Sequence, residues 1–415
     1  MCEGSILEYE TIVTDLLKSL IQESLPQPSV CLASQRSTFV LWDSRTGQAL
    51  TPMISWQDRR AHSWCEQNKD LSDRIGYITG LLLSPHYVGP KLAVLFAEDA
   101  ALKRCAEKGD CLLGTLDTYL IWKWTKGNVH ETDLTMAART CLVDIRTCSW
   151  SAELCKLFGV PEKILPSIQP SRKNHSLAFG ATLKASLSDQ AANLLCFREM
   201  FPDVISINLG TGGFVIKPER DQNRRIAGYL MGPVSEKWYA LEGTMNGIAK
   251  TLSTCPHETI PLAATDPQPE GFCLPDSTGI GAPHWRADVN MSLSIEEDRV
   301  SRENVRRIIL EGILFRIYEI YQDLTETNSP DTRVFFSGGL SGEPMLAGGL
   351  AELLGRPIFV VAEKETTLLG AAHQMFSTKK WGLPKHRTIE PALKNCYLKQ
   401  KYPQWKNWVE KILHA

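Results

Sequence analysis

Val204-Ile205-Ser206-Ile207-Asn208-Leu209-Gly210-Thr211-Gly212-Gly213-Phe214-Val215-Ile216-Lys217 reads as two apolar strands around a glycine turn, and it decides the fold class. A second strand, Arg333-Val334-Phe335-Phe336, runs into Ser337-Gly338-Gly339 in the same way. After it come a helix over 343–354, a strand Ile358-Phe359-Val360-Val361 and a helix over 367–376. Ahead of it lies a helix over 302–325, whose Val305, Ile308, Ile309, Ile313, Phe315, Ile317 and Ile320 make a broad apolar face. Strand and helix alternating around glycine turns specify an α/β fold.

Working back toward the N-terminus, residues 8–23 place Ile12, Val13, Leu16, Leu17 and Leu20 at helical spacing. Ser29 to Trp42 reads as a strand, a polar break Ser34-Gln35-Arg36-Ser37-Thr38, and a second strand. Residues 91–107 and 151–158 read as helices, and 112–122 and 141–145 as strands or buried segments. Ser188 or Asp189 is placed to cap a helix over 190–200, and the stretch 256–275, with its prolines, reads as a loop. Trp238 to Leu241 reads as a further strand. This organisation predicts one domain over 1–202, a second over 203–376, and a C-terminal tail over 377–415.

The 415 residues allow two or three domains and an ample core. With 43% hydrophobic and 22% charged residues, the chain is neither disordered nor fibrous. Forty-five basic against 47 acidic residues give no footprint for nucleic acid or for a membrane surface. The twelve cysteines form no C-x-x-C pair and no zinc spacing, which predicts reduced, mostly buried thiols. An acidic start, Met1-Cys2-Glu3-Gly4-Ser5, and the lack of any run near ~18 apolar residues predict a cytoplasmic protein. A homo-oligomer is compatible with all of this.

Glycine turns directly after strands let backbone N–H groups approach phosphate oxygens, so Gly210-Thr211-Gly212 and Gly338-Gly339 are candidate phosphate sites. Neither has the Lys and Ser/Thr of a P-loop, and tight turns use glycine without any ligand. Asp189 is either a helix cap or a general base for a hydroxyl attacking phosphorus. Arg36 is either a surface residue or a group that holds hydroxyls or an anion. Trp56, in Trp56-Gln57-Asp58-Arg59-Arg60, is either core or a face on which a sugar stacks.

Taken in order, several segments resemble the FGGY carbohydrate kinases. They are Ser34-Gln35-Arg36, Ile54 to Arg60, Gly114 to Trp122, Thr132 to Thr140, Ser188-Asp189-Gln190, Gly210-Thr211-Gly212, Gly279 to Trp285 and Ser337-Gly338-Gly339. The chain is most similar to the glycerol kinase branch, up to about Gln374. The resemblance implies two actin-like ATPase (ribonuclease H-like) domains with a sugar or polyol and Mg-ATP meeting in the cleft between them. It also implies in-line γ-phosphoryl transfer, with Asp189 as base.

By the same resemblance Arg36, Trp56, Gln190 and Phe214 line the acceptor site. Gly210, Thr211, Gly212, Gly338 and Gly339 lie against the nucleotide, and Glu343 stands near the adenine where the family often has an amide. The branch carries a Glu where this chain has Ser37 and a Tyr at His86, which implies an acceptor other than glycerol. The family's Asp-x-Gly-Thr-Thr/Ser segment does not occur, so the first domain is expected to lack its opening strands. That leaves open a non-catalytic or weakly active relative that binds a polyol or a protein partner.

Overall fold

The computed structural model describes all residues except 23–27, 199, 202, 236–237, 255–269, 297–299, 326–330, 363–364, 376–381, 383, 392–396 and 415. Its C-terminal half is built on one seven-stranded sheet. In spatial order the strands are Leu230–Ser235, Trp238–Met245, Gly213–Glu219, Val204–Leu209, Arg333–Ser337, Ile358–Val361 and His386–Ile389. The two strands that open the glycine turns lie side by side and parallel, from Val204 opposite Arg333 to Asn208 opposite Ser337. Both turns therefore leave the sheet at the same edge, the carboxyl ends of parallel strands, where open α/β sheets bind ligands.

The helix Arg302–Leu324 crosses this half and is buried on nearly every side. A Cβ on Gly312 would overlap the Cys273 carbonyl, so the absent side chain allows the helix to approach that strand closely. Arg316, fully buried in the same helix, pairs with Asp276 at 3.1 Å and with Glu319, which satisfies a cation that could not stand alone there. The stretch expected as a tail belongs to this half. His386–Ile389 pairs antiparallel with Ile358–Val361, and the helix Tyr397–His414 buries Leu398, Trp405 and Val409 against Arg302–Leu324. Its buried Leu398, Tyr402, Trp405 and Val409 recur at helical spacing, a signal that the reading of 377–415 as a tail does not use.

Among the described residues the N-terminal half has two main sheets, beside two two-stranded ones, Glu131–Asp133 with Ser167–Gln169 and Val143–Asp144 with Ser149–Trp150. One main sheet runs Glu3–Gly4, Met53–Ile54, Phe39–Asp43, Cys111–Thr115, and the other Arg172–Ser176, Thr182–Ser188, Ser29–Ser34. Ser29–Ser34 and Thr182–Ser188 are parallel, with Ser34 opposite Ser188, so the segments leaving them, Gln35–Thr38 and Asp189–Gln190, emerge together. The helix Ile6–Gln22 forms as expected but is rotated from the anticipated face. Tyr9, Val13, Leu17 and Ile21 pack inward, while Ile12, Leu16 and Leu20 are 57–61% exposed.

Two segments expected as strands or buried, 112–122 and 141–145, are largely buried but only partly strand, and one expected helix is divided. The segment 112–122 is a strand, Cys111–Thr115, followed by a helix, Leu116–Trp124, whose near-complete burial erases the helical period. The helix expected over 91–107 is two helices, Val88–Glu98 and Ala100–Lys108. They are broken at Asp99, whose carboxylate accepts the Ala101 and Leu102 N–H groups at 2.9 Å. Within 141–145 only Val143–Asp144 is extended. Most of the expected 256–275 loop lies outside the described residues. Cys65, Cys111, Cys141, Cys155 and Cys196 are buried free thiols.

The helix Asp189–Arg198 carries the chain from one half to the other and packs on Thr366–Met375 of the C-terminal half. A Cβ on Gly370 would overlap the Ala192 carbonyl, so the two backbones touch directly. Among the described residues no helix is long and apolar enough to cross a membrane.

Candidate functional site

Asp189 begins its helix, and the chain before it is held from below. The Ser188 N–H donates to Thr135 Oγ1 at 2.8 Å, and the Thr135 hydroxyl donates to the Asp133 carboxylate at 2.9 Å. Asp133 also accepts the Met136 N–H at 3.0 Å and the Ser171 hydroxyl at 2.7 Å. Burial pushes its carboxyl up to about 6, with Ser171 opposing and Asp117 adding to the rise. The Ser188 hydroxyl accepts the Ala191 N–H at 3.3 Å and serves as the cap, which leaves the Asp189 side chain for other work.

That side chain is about a third exposed, and its Oδ1 accepts only the adjacent Gln190 N–H, at 2.8 Å. Arg36 Nε stands 3.8 Å away, too far for a hydrogen bond. Burial raises the Asp189 carboxyl above the usual range, while Arg36 pulls the other way. Arg36 directs its fork elsewhere. Nη1 and Nη2 meet Glu242 at 2.8 and 3.1 Å, and Arg139 Nη2 meets the same carboxylate at 2.8 Å. Burial alone would raise Glu242, but the Arg139 and Arg36 cations hold it at about 2.

Arg36, Arg139, Gln190, Ile216, Ala240 and Glu242 line a narrow cavity in the cleft between the halves. Gln190 Oε1 is buried there without a hydrogen-bond partner, an acceptor that a ligand hydroxyl would satisfy. Phe214 lies opposite Thr244, two residues from the Ile216–Glu242 pair, so it shares their sheet face between the cavity and the glycine turn.

The other predicted acceptor residues are placed differently. Ser37, at φ +63°, is buried and donates its hydroxyl to the Arg139 carbonyl at 2.8 Å, so it is not a wall of the cavity. Trp56 keeps 39% of its surface exposed, and its N–H donates to Thr38 Oγ1, two residues from Arg36. His86 lies beside Trp56 with ring centroids 5.8 Å apart and the planes tilted by 42°, its Nδ1 3.1 Å from the Trp56 carbonyl.

Beneath this pair the fully buried Lys91 donates to the carbonyls of Ser55, Trp56 and His86 at 2.7, 3.2 and 3.0 Å. Burial drives Lys91 down to about 7, with Asp58 opposing and Arg60 adding. Neither Lys91, Arg139 nor Glu242 was singled out from the sequence. A charged residue inside the buried strand Trp238–Met245 was the available signal for Glu242.

On the other side of the site, Gly210-Thr211-Gly212 and Gly338-Gly339 sit beside each other, linked by the Leu340 N–H to Leu209 carbonyl bond at 3.1 Å. A Cβ on Gly338, at φ +94°, would overlap the Leu209 carbonyl, whereas one on Gly210 or Gly339 would meet nothing within 4 Å. One glycine thus closes the turn, and the other two present an open backbone face. Glu343 precedes the helix Pro344–Leu354. Its buried carboxylate accepts from Arg306 Nη2 at 2.8 Å, so one of its oxygens is committed to a cation.

The family model for the N-terminal domain of the FGGY carbohydrate kinases matches residues 8–186, and that for the C-terminal domain matches 205–377. A glycerol kinase of Methylobacterium nodulans is 31% identical, over 83% of this chain and 74% of the relative. One of Myxococcus xanthus is 29% identical, over 97% of this chain and 88% of the relative. Among solved structures, Plasmodium falciparum glycerol kinase with ADP superposes with a TM-score of 0.84 at 22% identity, covering 99% of this chain and 90% of that one. Ligand-bound xylulose kinase from Lactobacillus acidophilus gives 0.85 at 19%, covering 100% and 90%. Two actin-like halves are therefore the fold, and the chain belongs to the FGGY family of carbohydrate kinases, in its glycerol kinase branch, as a phosphotransferase.

Proposed function

We propose that the protein transfers the γ-phosphoryl group of ATP to a hydroxyl of a sugar or polyol, with Asp189 as general base. The observation that carries this reading is Asp189 itself. It is a carboxylate with raised proton affinity whose side chain has one hydrogen bond among the described residues, beside a cavity where the Gln190 amide oxygen has none among them. Such a group accepts a proton from an alcohol as that alcohol attacks phosphorus. Arg36 and Gln190 would hold the acceptor, with Trp56 and Phe214 as apolar walls.

The open faces at Gly210 and Gly339 fit a phosphate chain, since backbone N–H groups there can approach without a Cβ in the way. Among the described residues no group of three or more His, Cys, Asp or Glu could hold a metal ion. Mg²⁺ bound with the nucleotide would offset the charge of its phosphates. Closure of the halves over acceptor and nucleotide would exclude water from the reacting groups, which favours an alcohol over water as acceptor.

An acceptor other than glycerol fits the site better. Ser37 offers no carboxylate and spends its hydroxyl on a backbone carbonyl, and His86 is held to Trp56. Asp189→Asn tests the base assignment. Turnover should fall by about 10²- to 10⁴-fold, the usual weight of a positioned base, while calorimetric binding of Mg-ATP stays near wild type. Near-normal turnover in a coupled ADP assay would refute the assignment.

A further inference from the structure

We propose that Glu242 is a positioning residue that draws Arg36 away from Asp189, so that the base is unmasked only when the two halves are together. The inference rests on the reading of Asp189 as base and adds a partner from the opposite half of the molecule.

The geometry is a four-charge cluster, two cations and two carboxylates. Arg36 spends its Nη1–Nη2 edge, the end-on one of its two bidentate edges, on Glu242. Only Nε faces Asp189, at 3.8 Å. Arg139 closes the other side of Glu242, and the buried Tyr87 hydroxyl, pushed up to about 12 by burial, faces the cluster as a neutral group. A bidentate guanidinium–carboxylate pair is the strongest contact Arg36 can make. With Glu242 withdrawn, the nearest carboxylate to receive that edge is Asp189. An Asp189 so paired would have its oxygens occupied and its proton affinity lowered, and would be a poor base.

Glu242 belongs to the strand Trp238–Met245 of the C-terminal sheet, whereas Arg36, Arg139 and Asp189 come from the N-terminal half and its connecting helix. Separation of the halves therefore removes the carboxylate that occupies Arg36. Closure restores it and frees the base at the moment the acceptor and nucleotide are enclosed. The arrangement ties proton abstraction to the closed state and discourages wasteful transfer to water in the open one.

The test is the pH dependence of kcat/KM for phosphoryl transfer, measured on wild type, Glu242→Gln and Glu242→Asp, with melting curves to establish folding. In Glu242→Gln the acid limb should move down by about 1 pH unit, the scale of a lost neighbouring charge, and kcat should fall about tenfold or more. Glu242→Asp keeps the charge and should return the limb toward its wild-type position. Coincident acid limbs in wild type and Glu242→Gln would overturn the proposal, as would an equal displacement in Glu242→Asp. If Glu242→Gln does not fold, Arg139→Met reads the same cluster with opposite sign. Losing a cation near Asp189 should move the limb up, and an unmoved limb would again overturn the role. Absence of transfer in wild type would instead speak against the activity itself, so the two failures are distinguishable.

Discussion

The acceptor side and the nucleotide side of the cleft are built from different materials. On the Asp189 side the work is done by side chains: two guanidiniums, two carboxylates and a buried ammonium, with an amide at Gln190 whose oxygen is left for a ligand among the described residues. Around Gly210 and Gly339 it is done by backbone, with open space where side chains would stand. Charges that compensate one another tune proton affinity and discriminate between hydroxyl patterns, whereas a backbone cradle recognises phosphate whatever it is attached to. The acceptor side should therefore set the identity of the substrate, and the nucleotide side should respond mainly to changes of shape.

The first way to break this contrast is at Gly338. Alanine there faces both a φ of +94° and the Leu209 carbonyl, so Gly338→Ala should cost at least about 1–3 kcal/mol and lower the melting temperature markedly. Gly339→Ala should leave stability within about 0.5 kcal/mol, since the new methyl meets nothing. If Gly339 faces the phosphates, the same methyl should weaken Mg-ATP binding by about tenfold, near 1.4 kcal/mol, in calorimetric titration. Equal effects of the two variants on stability would mean that the turns are not divided into a packed and an open glycine.

A smaller effect sharpens the acceptor side. Folded Lys91 loses its proton near 7, and the unfolded chain only in the ordinary lysine range. Between those values the unfolded state binds more protons, so this group's contribution to stability rises with pH through that window; below about 7 the cost of burying the ammonium is fully present. Lys91→Met removes the titration. Its melting temperature should fall progressively behind wild type from pH 7 to 9, and parallel curves would exclude the assignment.

The smallest effect concerns the outer helix. Leu17→Ala should cost about 1–2 kcal/mol by denaturant unfolding, because it packs against the core, while Leu16→Ala should be within about 0.5 kcal/mol.

The same contrast explains what was legible in the residues alone. Glycine turns after apolar strands are local signals, and Val204–Lys217 and Arg333–Gly339 form as read. Asp189 and Arg36 were legible because each lies next to a strand end, and the parallel pairing of Ser34 with Ser188 brings them together. Glu242 and Arg139 were not, because their meaning arises only when a strand and a short helical turn over a hundred positions apart in the chain meet. Lys91 was read as the start of a helix and is an interior residue of one, where its role depends on carbonyls from two other segments. Helix Leu116–Trp124 failed for a different reason, since burial on all faces leaves no period to detect, whereas Tyr397–His414 carries Leu398, Tyr402, Trp405 and Val409 at helical spacing, a signal that the reading of 377–415 as a tail does not use.

The most direct test of the account is phosphoryl transfer from γ-labelled ATP to a panel of glycerol, longer polyols, ketopentoses and ketoheptoses, scored by labelled product and kcat/KM. The account predicts transfer to at least one sugar or polyol in preference to glycerol. Label appearing in no acceptor at any concentration would contradict the kinase reading, and glycerol as the best acceptor would contradict the reading of Ser37 and His86.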